Sequence, residues 1–168
     1  GASTWQVLSI DLTYESGIGE IEKRRNREYD YRQQFKLSNQ DINDAYISKT
    51  IEDINLENEP EVVLDPGNGS ATLVCEELFE RMGCKVHTIN GEPDGDFPNR
   101  LPDPTEDLTK LIEKVNEVNA DLGIAFDGDA DRAVFVDHTG EVIPNDYILS
   151  LFVKNYVEEG ESVVFEVK

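Results

Sequence analysis

Asp127, Asp129 and Asp131 alternate with Gly128 and Ala130, and Arg132 follows at once. The apolar run 122–126 leads into this hexapeptide and 133–136 leads away from it. Three carboxylates in five residues repel one another unless a cation sits among them. A donor set made only of oxygen selects a hard divalent ion such as Mg²⁺, Ca²⁺ or Mn²⁺. In an extended or gently curved loop, alternate side chains point to the same side, so one oxygen from each aspartate can reach a single ion. Gly128 and Ala130 remove bulk and let the backbone curl around it. An EF-hand also begins Asp-x-Asp-x-Asp, but it requires Gly at its sixth position and Glu at its twelfth. Those positions hold Arg132 and His138, and strand-like runs flank the loop where an EF-hand has helices, so that reading is excluded. Arg132 presents a planar fork of donors suited to phosphate or carboxylate. Its competing role is a salt bridge to a neighbouring aspartate. The ligand role is preferred, because a bound cation would already engage those carboxylates.

Two other stretches carry residues with possible chemistry. Asp65-Pro66-Gly67-Asn68-Gly69-Ser70 reads as a strand-to-helix turn, a place where a helix N-terminus can hold phosphate. It matches neither of the glycine-rich nucleotide-binding patterns, and a tight turn with a capping residue is the preferred reading. Ser70 has no histidine convincingly beside it, since His87 falls in a strand and His138 in a turn. The Pro-rich loop 93–104 is stiff, with Phe97 suited to plug a core edge and Asp94 and Asp96 read as turn residues.

The elements that must position these residues follow from periodicity. Asn39 or Asp41 can cap a helix carrying Ile42, Ala45, Tyr46, Ile47 and Ile51. Strands are expected at 61–65, 85–90 and 121–126. Helices are expected at 70–81, ending at Gly83, and after a Thr105 cap, with Leu108, Leu111, Ile112 and Val115 on one face. Residues 133–137 and 141–143 flank Thr139-Gly140 as a hairpin. Asn145 or Asp146 caps a last helix bearing Ile148, Leu149, Phe152 and Val153, and 163–167 reads as a final strand. Strands alternating with helices predict a three-layer α/β/α sandwich around a mostly parallel mixed sheet, with the hairpin adding an antiparallel strand.

At 168 residues the chain has room for one domain with extensions. Asp and Glu number 36 against 15 Lys and Arg, a formal net charge of −21. Such a surface repels nucleic acid and anionic membranes, which excludes both as expected partners. The excess runs along the whole chain, a pattern that suits a halophilic habitat in which salt screens self-repulsion. Cys75 and Cys84 form no C-x-x-C pair and read as small buried residues of a reducing, cytoplasmic compartment. There is no signal-peptide pattern and no apolar run long enough to span a membrane. Residues 1–38 are dense in charge, with a basic cluster at Lys23-Arg24-Arg25 and Arg27 and a helical pair at Glu20 and Arg24. This stretch reads as an arm or linker, the end of a preceding domain. The domain itself is expected over 39–160, and 161–168 reads as the start of a following strand or domain.

Several motifs in order carry a resemblance. They are Val63-Leu64-Asp65-Pro66-Gly67-Asn68-Gly69, Gly83-Cys84-Lys85-Val86, Pro93-Asp94-Gly95-Asp96-Phe97-Pro98, Pro102-Asp103-Pro104, Asp121 to Arg132, and the Asp137-x-x-Gly140 turn. From about Asn39 to Lys168 the chain resembles the second domain of the α-D-phosphohexomutases, the phosphomannomutase and phosphoglucomutase superfamily. The resemblance implies an enzyme of four domains around a cleft. A phosphoserine in the first domain gives its phosphoryl group to a hexose phosphate, and the resulting bisphosphate returns the other one, so that phosphoryl moves between O1 and O6. It further implies Mg²⁺ held by Asp127, Asp129, Asp131 and the phosphoserine, with Arg132 beside the phosphoserine and the substrate phosphate. The chain departs from the family pattern in showing no Ser-His-Asn phosphoserine loop and neither the sugar-binding nor the phosphate-binding loop of the later domains. It is therefore expected to be inactive alone and to work with the other mutase domains. A stand-alone divalent-cation-binding module without catalysis is the alternative, and a phosphatase using Asp127 as nucleophile is a third reading.

Overall fold

In the computed structural model, which describes residues 42–164, short β-branched runs form the strands and place the acidic loop at their ends. A compact unit begins at Asn43. The helix α1 spans Asn43–Thr50, β1 Glu61–Asp65, α2 Cys75–Arg81, β2 Lys85–Thr88, α3 Thr109–Val118 and β3 Leu122–Phe126. They are followed by β4 at Ala133–Asp137, β5 at Val142–Ile143 and α4 at Asn145–Tyr156. The sheet order is β2-β1-β3-β4-β5. Strands β2, β1 and β3 run parallel, while β4 is antiparallel to both β3 and β5.

Alternation along the strands divides the core into two faces. Val63, Ala125 and Val136 pack with Leu111 and Val115 of α3. Val62, Leu64 and Ile124 pack with Ala71 and with Cys75 of α2. Helices on both faces of a mixed sheet make this an α/β fold of the expected sandwich type, and the hairpin supplies the antiparallel pairing. The hairpin turn is held by the Asp137 carboxylate, whose Oδ1 accepts from the Thr139 amide, the Thr139 hydroxyl and the Glu141 amide. No helix among the described residues is long and apolar enough to cross a membrane.

The expected helix over 70–81 is divided. A 3₁₀ turn covers Ser70–Leu73, Val74 leaves helical geometry at φ −141°, and α2 starts at Cys75. The Thr72 hydroxyl donates to the Gly69 carbonyl, a local bond that competes with continuous helix. Thr105 does not cap α3. Its amide and hydroxyl both donate to Asp103 Oδ1, and the helix begins four residues later, where the Asp107 carboxylate accepts from the Thr109 amide. Pro144, not Asn145 or Asp146, occupies the cap position of α4. The second strand stops at Thr88, two residues before the expected end. Asn39, Asp41, the basic cluster of the first segment and most of the expected strand 163–167 lie outside the described residues.

Candidate metal centre

The acidic loop joins β3 to the antiparallel β4, and this connection shapes it. The Asp127 amide donates to the Arg132 carbonyl at 3.2 Å, and the Ala130 amide donates to the Asp127 carbonyl at 3.2 Å. The segment is therefore a closed turn and not the extended or gently curved loop that alternation suggested. Ala130 takes a left-handed backbone, φ 61°, which reverses the chain at its tip. The turn still brings the three acids together. One carboxylate oxygen from each of Asp127, Asp129 and Asp131 lies within 4.8 Å of the other two. Asp127 is buried, whereas Asp129 and Asp131 are exposed. The donor set is oxygen alone and faces solvent on one side, which fits a hard cation that keeps water or phosphate oxygens in its remaining positions.

The electrostatics of the turn are uneven. Burial pushes the Asp127 carboxyl up, but hydrogen bonds from the Arg132 amide and guanidinium outweigh it and hold the carboxyl below its ordinary range. Asp131 moves the other way. Its hydrogen bond with Asp127 and the negative charges of Asp129 and Asp127 raise it. A divalent cation among these oxygens would relieve that repulsion. Arg132 donates from Nε to Asp127 Oδ2 at 2.8 Å and lies 3.4 Å from Asp103 Oδ2. Two of its three guanidinium nitrogens thus meet protein carboxylates, while the side chain as a whole remains 62% exposed beside the acids.

Beneath the acids lies a second charged group. The Arg100 side chain is 3% exposed and donates from Nε to Asp65 Oδ2 at 2.9 Å. Its Nη2 also donates to the carbonyls of Asp65 and Phe126, and its Nη1 to the carbonyl of Leu101. Asp65 Oδ1 accepts from the Gly67 amide and from Asn90 Nδ2, both at 2.9 Å. Gly69 packs against Gly128 so closely that a Cβ on Gly69 would lie 2.7 Å from the Gly128 carbonyl oxygen. The Ser70 amide donates to that same oxygen at 3.0 Å. Phe97 and Pro102 close on Gly128 from the other side. The turn after β1, the Pro-rich loop and the acidic loop thus form one assembly at the carboxyl ends of β1 and β3, where α/β sheets place their ligands.

Residues 44–140 match the family model described as phosphoglucomutase/phosphomannomutase, alpha/beta/alpha domain II. The chain belongs to this family, as its second domain. A phosphomannomutase/phosphoglucomutase of Pseudomonas putida is 40% identical over 139 residues, which cover 80% of this chain and 30% of that protein. Its counterpart in Pseudomonas aeruginosa is 44% identical over 132 residues, 76% of this chain and 28% of that protein. A crystal structure of a phosphoglucomutase/phosphomannomutase family protein from Burkholderia thailandensis superposes with a TM-score of 0.65 at 38% identity, covering 68% of this chain and 25% of that one. The chain therefore spans less than a third of the length of these curated relatives.

Within this domain, the structure brings the three aspartates and Arg132 to one strand end. It leaves Ser70 in a turn with its amide committed to Gly128. His87 pairs with Glu61 through Nε2 at 2.7 Å, on a different strand from the acidic loop. His138 is exposed in the hairpin turn. Asp94 acts as a turn residue, its Oδ1 accepting from the Asp96 amide. Sequence reasoning missed the Arg100–Asp65 pair. The available signal was an arginine between two prolines, in a loop otherwise dominated by acids and small residues.

Proposed function

We propose that this domain supplies the cation site of a phosphohexomutase, an enzyme that moves phosphoryl between O1 and O6 of a hexose phosphate by way of a phosphoserine on another domain. The observation that carries the reading is the convergence of Asp127, Asp129 and Asp131 within 4.8 Å, at the strand end of a domain of this family. In this reading the three aspartates hold Mg²⁺, which when bound neutralises charge on the phosphoryl group and fixes its position.

The chain's own residues do the rest of the work. Asp127, buried and held by the Arg132 amide, fixes one carboxylate against the sheet. Asp129 and Asp131 stand in solvent, where a phosphate on a facing domain could approach. Arg132 stands 62% exposed beside the acids, and its guanidinium would orient an incoming phosphate. Phe97 and Pro102 pack against the loop backbone at Gly128. The phosphoryl group leaves the serine oxygen for one sugar hydroxyl, and the phosphoryl at the other end of the sugar returns to serine. The other mutase domains are thus the partners. The proposed division is a preceding segment at 1–38, the metal-binding domain at 39–160 and a following segment from 161.

The reading is tested by assaying the protein that carries this domain for conversion of hexose 1-phosphates to 6-phosphates, with Asp129→Asn beside it. The expected result is turnover that depends on Mg²⁺ and falls at least tenfold in the variant. Full activity in Asp129→Asn would refute it. Phosphate trapped on Asp127 would favour a phosphatase.

A further inference from the structure

We propose that Arg100 is a positioning residue for the acidic loop, an inference that rests on reading Asp127, Asp129 and Asp131 as cation ligands. Parallel pairing between β1 and β3 ends at Asp65 and Ala125. Where the ladder stops, the Arg100 guanidinium takes over. It binds the Asp65 carboxylate and carbonyl from β1 and the Phe126 carbonyl from β3. Phe126 and Asp127 share a peptide plane. Holding the Phe126 carbonyl therefore also sets the Asp127 amide, which closes the acidic turn onto Arg132.

The surrounding residues are built to fit this guanidinium. Gly67 has φ 56°, and a Cβ there would stand 2.5 Å from Arg100 Cζ. The Leu101 carbonyl and the Gly67 and Asn90 donors on Asp65 complete the arrangement. A lysine would keep the charge next to Asp65 but lacks the planar fork that reaches two strands at once.

The test is Mn²⁺ titration of the chain followed by electron paramagnetic resonance, with circular dichroism to confirm folding at the temperature used. Arg100→Lys and Gly67→Ala are compared with Asp129→Asn and with Val115→Ala, a buried core variant on α3 that packs against β3 at Gly123. Outer partners of metal ligands typically change affinity by ~10–100-fold. Arg100→Lys and Gly67→Ala should therefore raise the Mn²⁺ dissociation constant about tenfold while folded. Val115→Ala should bind as the wild type does, despite its lower thermal midpoint. Wild-type affinity in a folded Arg100→Lys, with binding lost in Asp129→Asn, would overturn the positioning role and leave the cation site standing. Absence of saturable Mn²⁺ binding in the wild type would overturn both.

Discussion

The carboxyl end of the sheet and the helix α4 are built on opposite terms. At the sheet end a charged arginine and aspartate are nearly sealed from solvent, and the side-chain polar atoms of both have partners. In α4, a helix rich in apolar residues, none is buried, and Tyr147 and Tyr156 are 67% and 79% exposed. The matched family model ends at residue 140, before α4 begins. Hydrophobicity alone therefore does not locate the structural centre of this domain. The contacts that converge on β1 and β3 do.

Removing one member of the buried pair should produce the largest effect. Asp65→Ala leaves the Arg100 charge uncompensated in the interior and should cost about 3–5 kcal/mol in chemical denaturation. A loss below about 1 kcal/mol would show that this end of the sheet is wetter than its geometry indicates. Cys75 reports on the same region. Burial pushes its thiol up to about 11, and burial raises Cys84 as well. The Cys75 thiol is thus protonated near neutral pH, and the thiolate needed for its alkylation forms only as pH rises toward that value. Alkylation of Cys75 at pH 8 should be much slower in the native chain than after unfolding, and equal rates in the two states would contradict its burial. The smallest effect belongs to α4. Phe152→Ser should change the stability of the chain by no more than about 0.5 kcal/mol, because the ring is already largely in solvent. A loss of several kcal/mol would erase the contrast between the two regions.

The acidic cluster was legible because its three aspartates fall within five residues, so a tight turn is enough to bring them together. The layers were legible because alternation in Val62-Val63-Leu64 and helical spacing in Leu111 and Val115 encode opposite faces directly. What escaped depends on contacts between distant parts of the chain. Arg100 and Asp65 are 35 residues apart, and neither has a local pattern that announces the other. The division of the helix at Val74 and the late start of α3 both arise from threonine side chains bonding nearby acceptors, choices that hydrophobic periodicity does not register. The shape of the acidic loop was misjudged for a related reason. Strand alternation describes side-chain direction only while the backbone is extended, and Ala130 turns the chain back within the motif.

The most direct test of the cation site is a calorimetric Mg²⁺ titration of the chain and of its Asp129→Asn variant. Three protein carboxylates alone predict weak binding at a single site, weakened further, by about tenfold or more, when Asp129 loses its charge. Tight binding, or binding unchanged in Asp129→Asn, would contradict the assignment of Asp127, Asp129 and Asp131 as an incomplete ligand set.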